Sequence, residues 1–87
     1  MSIVISPRAE KQLRRLSKVN QIIIAQKIRN LSSQQASKKE QLRGYRQIFR
    51  VRVGDFRIVY QEESKQIYVV LIGHRREIYK LLDRLLR

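Results

Sequence analysis

The feature that most constrains this fold is a glycine–aspartate pair, Gly54-Asp55, between two stretches in which apolar and polar residues alternate. Glycine readily supplies the positive φ that a two-residue hairpin turn requires, so residues 43–60 are predicted to contain a β-hairpin. A turn of that length also fixes the pairing of the two strands, and it places Arg52 directly opposite Arg57.

The alternation gives the predicted hairpin two different faces. One face is apolar and consists of Phe49, Val51, Val53, Phe56, Ile58 and Tyr60. The other face carries Arg50, Arg52 and Arg57. Like charges directly opposite each other in a sheet are destabilising by roughly 0.2–1 kcal/mol per pair, so this face indicates an anionic ligand. The alternative is that these arginines only solvate an exposed face.

Two helices are predicted before the hairpin. Residues 3–5 form a short strand, and Ser6-Pro7 then supplies an N-cap and a proline in the first helical position. Residues 17–20 interrupt the helical pattern, and a second helix is predicted from about Gln21 to Leu31. Its apolar stripe is Ile24, Ile28 and Leu31, thickened by Ile22 and Ile23. Residues 32–41 are polar without periodicity, which predicts a loop.

After the hairpin, the apolar run at residues 67–72 predicts a strand buried on both faces. A final amphipathic helix is predicted from the spacing of Ile78, Leu81, Leu82 and Leu85. If the chain is helical from residue 75, Arg75 and Tyr79 share a side of its first turn.

These elements predict a single α+β domain over residues 1–87, in the order β-α-α-β-β-β-α. The sheet is expected to have four mainly antiparallel strands. The N-terminal αα-hairpin covers one face, and the C-terminal helix is the candidate to cover the other.

The net charge is +13, with 20 lysines and arginines against 7 acidic residues. Such a chain attracts nucleic acid, the ribosome surface, anionic lipid or an acidic protein. No apolar run approaches the ~20 residues of a membrane span, and none resembles a secretory signal, so a cytoplasmic location is expected. Without cysteine there is no thiolate metal site, and the acidic residues do not cluster as a two-metal nuclease requires, so no metal or other cofactor is expected.

Three segments in order along the chain resemble the RelE/ParE superfamily of bacterial and archaeal toxins: Leu42-Arg43-Gly44, residues 49–60 and residues 73–79. The resemblance covers essentially the whole chain. It implies a small, mainly antiparallel sheet with two N-terminal helices and a C-terminal helix. It also implies a cognate antitoxin partner in a hetero-oligomer. The RelE branch consists of messenger-RNA endoribonucleases that typically cut codons in the ribosomal A site.

The nuclease pattern of that branch implies these catalytic positions: Arg50, Arg52, Arg57, Arg75 and Tyr79. This chain has arginine twice on the first hairpin strand, where the best-known members use lysine. Five further basic residues are predicted to contact RNA: Lys38, Lys39, Arg43, Arg46 and Arg76. His74 is the only histidine and a candidate general base, because its side chain normally titrates near neutrality. A hydrogen-bonded histidine at a strand end is the alternative.

Two other functions compete with the nuclease. The ParE branch has the same fold but poisons DNA gyrase and generally lacks the ribonuclease residues. A plain nucleic-acid-binding domain is the third reading, but the predicted sheet lacks the exposed aromatic residues on which RNA bases stack.

Overall fold

Eight elements follow one another in the computed structural model, which describes residues 2–32 and 39–86. They are β1 (Ser2–Ile5), α1 (Pro7–Arg14), α2 (Lys18–Arg29), β2 (Glu40–Gln41), β3 (Ile48–Val53), β4 (Phe56–Glu62), β5 (Gln66–His74) and α3 (Ile78–Leu86). The predicted α+β class and order are therefore confirmed, with one additional strand. No helix within the described ranges combines the length and apolar character needed to cross a membrane.

The strands form one sheet in the order β1-β5-β4-β3-β2, in which only the β1–β5 pair is parallel. The prediction of four strands was wrong by one, because Glu40 and Gln41 pair with β3 as the two-residue strand β2. Two residues are too few to show an alternating pattern, so this strand depends on pairing that the sequence does not display.

The hairpin has the predicted register. Arg52 lies opposite Arg57, and Val53 lies opposite Phe56. Gly54 has φ 59°, in the left-handed region that glycine adopts without steric cost. The turn chemistry therefore fixes which side chains share a face of the hairpin.

Both N-terminal helices begin at serine caps. The Ser6 hydroxyl accepts from the Ala9 N–H at 3.0 Å, as the sequence predicts. In α2 the cap is Ser17, whose hydroxyl accepts from the Asn20 N–H at 3.3 Å. The predicted start near Gln21 was therefore about one turn late, because the first turn of α2 is mostly exposed, including Val19, and shows no apolar stripe.

Each face of the sheet carries its own apolar core, and we name the faces after the helices that cover them. On the α1–α2 face, Ile24 and Ile28 of α2 pack with Ile58 and Tyr60 of β4. Ile22 and Ile23 do not join this core and stay exposed, contrary to the sequence prediction.

On the opposite face, the α3 face, Ile78 and Leu82 pack on Val59 and Leu71. Strand β5 is buried from both sides, as its apolar run predicts. Leu85 lies outside this packing and is 39% exposed, so the predicted stripe of α3 extends one position too far.

Candidate functional site

Three arginines lie on the α3 face of the hairpin. Arg52 and Arg57 are directly opposite, and Arg50 pairs with Val59, whose side chain packs under α3. Residues opposite each other or two apart on a strand point to the same face, so the three side chains project from one surface. This arrangement confirms the predicted side of the sheet for all three.

Arg57 is buried rather than exposed, with 8% of its surface accessible. Its Nη1 donates to the carbonyl oxygens of Gly54 at 3.0 Å and Phe56 at 2.9 Å. Its other neighbour in the sheet is Gly73 of β5, which has no side chain. These contacts hold the Arg57 guanidinium beside the hairpin turn.

Arg75, which directly follows β5, reaches the same turn. Its backbone N–H donates to the Asp55 carbonyl oxygen at 2.8 Å, and its Nε lies 3.8 Å from Asp55 Oδ1. Residues 75–77 form a turn, and α3 begins at Ile78. The chain is therefore not helical from residue 75, so the condition under which Arg75 and Tyr79 would share a helical turn is not met, and the hairpin turn positions Arg75 instead.

Tyr79, in the first turn of α3, connects the helix to the arginines. Its hydroxyl accepts a hydrogen bond from Nη1 of Arg50, and Arg50 Cζ lies 5.3 Å from the centre of its ring. The side chain is 46% exposed. Tyr79 therefore has a fixed position next to Arg50 and remains open to a ligand.

Sequence reasoning missed one member of this cluster, Glu40. Its Oε2 accepts from Arg50 at Nε (3.2 Å) and Nη2 (2.6 Å). The hydrogen bond from Arg50, followed by the charge of Arg50, holds the pKa of the Glu40 carboxyl below its ordinary value. Arg52 and Arg57 act in the same direction, so all three arginines of this face act electrostatically on Glu40. In the same way, the hydrogen bond to Glu40 raises the pKa of Arg50.

His74 is not part of the arginine cluster. It pairs with Phe56 in the sheet, and the two rings meet edge to face at 6.0 Å between centres. Phe56 packs against the core of the α1–α2 face, so His74 projects from the side opposite the arginines. Its Nδ1 accepts from the Arg76 N–H at 3.2 Å, as expected of a hydrogen-bonded histidine at a strand end.

The remaining predicted RNA contacts are dispersed. Arg43 and Arg46 are exposed between β2 and β3, and Arg76 is exposed between β5 and α3. Lys39 lies 4.4 Å from the centre of the Phe49 ring, which belongs to the α1–α2 face. Lys38 lies outside the described residues.

A groove of about 750 Å³ lies elsewhere, between α1 and α3 at the end of β5. Lys11 of α1 and Arg15, which directly follows this helix, line it together with His74, but none of the arginines on the α3 face does. Within residues 2–32 and 39–86, no three histidine, aspartate or glutamate side chains are grouped in a way that could hold a metal ion.

The cluster combines permanent positive charge with a phenol. A guanidinium stays protonated at all ordinary pH values and matches the geometry of a phosphate with two parallel N–H donors. A tyrosine hydroxyl can donate and accept hydrogen bonds and carries a proton that it can release, and its ring can stack on a base. The arrangement can therefore hold a phosphodiester and stabilise negative charge that develops on it.

A protein-family model, ParE toxin of type II toxin-antitoxin system, parDE, matches residues 3–79. No curated protein is similar enough in sequence to be matched to the chain.

The fold is also similar to solved toxin structures. The RelBE2 toxin–antitoxin complex of Mycobacterium tuberculosis superposes with a TM-score of 0.74 at 18% identity, over 85% of this chain and 96% of that one. The isolated RelE toxin of E. coli superposes with a TM-score of 0.69 at 22% identity, over 98% of this chain and 97% of that one. The archaeal RelE–RelB complex of Pyrococcus horikoshii OT3 superposes with a TM-score of 0.70 at 21% identity, over 85% of this chain and 93% of that one. The chain therefore belongs to the ParE toxin family of the RelE/ParE superfamily and is a toxin of a type II toxin–antitoxin system.

Proposed function

We propose that this toxin is a ribosome-dependent endoribonuclease that cuts messenger RNA in the A site and so inhibits translation. The observation that carries the proposal is the contact between Arg50 and Tyr79 on the face shared with Arg52 and Arg57. A nuclease of this kind requires cationic groups and a proton-carrying group within reach of one phosphodiester.

The reaction uses the nucleophile that RNA itself carries. The ribose 2′-oxygen forms a bond to the adjacent phosphorus, the bond from phosphorus to the 5′-oxygen breaks, and a 2′,3′-cyclic phosphate remains. One proton leaves the 2′-hydroxyl and one reaches the departing 5′-oxygen. The protein's task is therefore to position the phosphate, stabilise its charge and transfer protons.

The positions of the side chains suggest a division of roles. Arg57 and Arg75, both held at the hairpin turn, would grip the scissile phosphate. Arg50 and Arg52 would bind the neighbouring backbone and the developing charge. Tyr79 would stack on a base or supply the proton to the leaving oxygen. His74 has no role in this assignment, because it lies on the opposite face of the sheet.

The proposed partners follow from charge and from the toxin's relatives. Four of the similar solved structures are toxin–antitoxin complexes of the RelB–RelE type. We propose a cytoplasmic hetero-oligomer in which an acidic segment of an antitoxin covers the basic face or displaces α3. With a net charge of +13, electrostatic attraction would make this association fast.

Primer extension on transcripts after brief induction tests the proposal. Arg57→Ala should reduce cleavage by about 10²–10³, the typical effect of losing a preorganised donor. Arg29→Ala is the matched control, because Arg29 is exposed at the end of α2 and far from the α3 face. Tyr79→Phe is a second probe that should fold normally, because the side chain is 46% exposed. Where the toxin also cuts a ribosome-free model RNA, that cleavage should persist in EDTA.

The match to a ParE family model favours a second candidate, a gyrase-directed inhibitor without nuclease activity. It predicts killing with intact transcripts and a DNA-damage response. It also predicts that transcripts stay intact after induction of the wild type and equally after induction of Arg57→Ala or Tyr79→Phe. That pattern would refute the nuclease.

A further inference from the structure

The arginine cluster contains a carboxylate whose position the backbone fixes. Glu40 lies directly opposite Arg50 in the β2–β3 pair, so their side chains share one face. The second residue of β2, Gln41, fixes the strand to the following loop, because its Nε2 donates to the carbonyl oxygens of Tyr45 at 3.2 Å and Arg46 at 2.7 Å. The Glu40–Arg50 contact therefore follows from strand pairing and differs from a chance meeting of two long surface side chains.

The contact occupies the part of Arg50 that a phosphate would use. Nε and Nη2 both donate to Oε2 of Glu40, and these two nitrogens form one bidentate edge of a guanidinium. Nη1 donates to the hydroxyl of Tyr79. Arg50 is thus held between an anion and a phenol, whereas Arg57 donates to backbone carbonyl oxygens.

Glu40 is also free to leave. Its side chain is 54% exposed, against 28% for Arg50, so the carboxylate can turn into water at little cost in desolvation. Arg50, in contrast, is held in place by Tyr79. An incoming anion would therefore displace Glu40 and leave Arg50 in position.

We propose that Glu40 is an internal competitor for phosphate: its carboxylate occupies Arg50 in the free toxin, and an RNA phosphodiester must displace it to bind. This inference rests on the proposed function of the same face. It assigns Glu40 a part in affinity and specificity, because a ligand with a single phosphate gains little from the exchange. A single-stranded RNA whose other phosphates also reach Arg52 and Arg57 gains the contacts with these arginines as well.

The test is the binding of a single-stranded, fully 2′-O-methylated RNA, which lacks the attacking hydroxyl, followed by fluorescence anisotropy over a range of salt concentrations. Glu40→Gln keeps the shape of the side chain and removes its charge. We expect it to bind about three- to tenfold more tightly than the wild type. The slope of log K against log salt should also become steeper, by up to about 0.7, because Arg50 then neutralises a phosphate without releasing a carboxylate.

Glu10→Gln is the matched control. Glu10 is also paired with an arginine, Arg14, and its removal changes the net charge by the same amount, but it lies on α1 away from the α3 face. Its affinity should stay within about twofold of the wild type, because exposed charges beyond a Debye length are screened. In an Arg50→Ala background, Glu40→Gln should lose its advantage over Glu10→Gln.

The outcomes separate the two proposals. If Arg57→Ala weakens binding but Glu40→Gln binds no more tightly than Glu10→Gln, the inference is overturned and the proposed site stands. The same holds if the gain from Glu40→Gln persists in full without Arg50. If Arg57→Ala binds RNA as the wild type does, the proposed use of this face is refuted and the inference falls with it.

Discussion

Replacing Tyr60 with phenylalanine should stabilise the toxin, and increasingly so at alkaline pH. The Tyr60 side chain is fully buried, and its hydroxyl has no hydrogen-bond partner among the described residues. Its ring stacks on Phe49 at 5.9 Å between centres, a contact that phenylalanine would keep. Burying an unpaired hydroxyl costs roughly 1–3 kcal/mol in protein mutational data, so Tyr60→Phe should gain about 1 kcal/mol near neutral pH.

The pH dependence provides a sharper test. Burial raises the pKa of Tyr60 to about 12, whereas an unfolded tyrosine titrates near 10. A group whose pKa is raised by folding contributes stability that is fully present below the unfolded pKa and is lost as the pH rises through the folded value. Two pKa units correspond to roughly 2.7 kcal/mol, which the wild type should lose between about pH 10 and 12.

Urea denaturation of both proteins across that range measures the effect. All other ionisable groups are common to the two proteins, so the difference in the free energy of unfolding isolates Tyr60. Tyr45→Phe serves as the control, because it makes the same chemical change at an exposed tyrosine outside the apolar core. A difference for Tyr60→Phe that stays flat up to pH 12, or a clear destabilisation at neutral pH, would refute the reasoning.

Two further substitutions probe the end of β5, at Gly73 and His74. Gly73→Ala should destabilise the fold by roughly 1–3 kcal/mol in the same urea assay, because its Cβ would lie 3.2 Å from Ile78 Cδ1 in α3. It should also reduce transcript cleavage by displacing Tyr79. His74→Gln should leave the cleavage rate and the pH–rate profile unchanged, and an altered profile would return this histidine to the mechanism.

The hairpin could be predicted because its information is local. The turn at Gly54-Asp55 fixes the register, and alternation then assigns every side chain to a face, including Arg50, Arg52 and Arg57. The structure has this register. The serine cap of α1 was equally local, because Ser6 and Pro7 are adjacent and each has a positional preference at a helix start.

Glu40 could not be predicted from the same patterns. It pairs with a residue ten positions further on, across a loop in which Gly44 has φ 85° and the Leu42 N–H bonds to the Ile48 carbonyl oxygen at 2.8 Å. A strand of two residues is too short to show a periodic pattern, so the sequence does not predict the pairing of Glu40 with Arg50. The side of the sheet that His74 faces was within reach, because Gly73 pairs with Arg57 and the next residue must face the other way.

The geometry of the site depends on a glycine, Gly73, because this position has no side chain. Gly73 faces α3, where a Cβ would lie only 3.2 Å from Ile78 Cδ1 and 4.0 Å from Leu81 Cδ1. This close approach lets Ile78 pack as a buried residue on β5, and the next residue along the helix, Tyr79, then meets Arg50. Gly73 is also the strand partner of Arg57, so the glycine that admits α3 lies directly beside the arginine cluster. The packing of α3 and the geometry of the arginine cluster are therefore one structural problem, and a change that loosens the helix should disturb the site before it unfolds the protein.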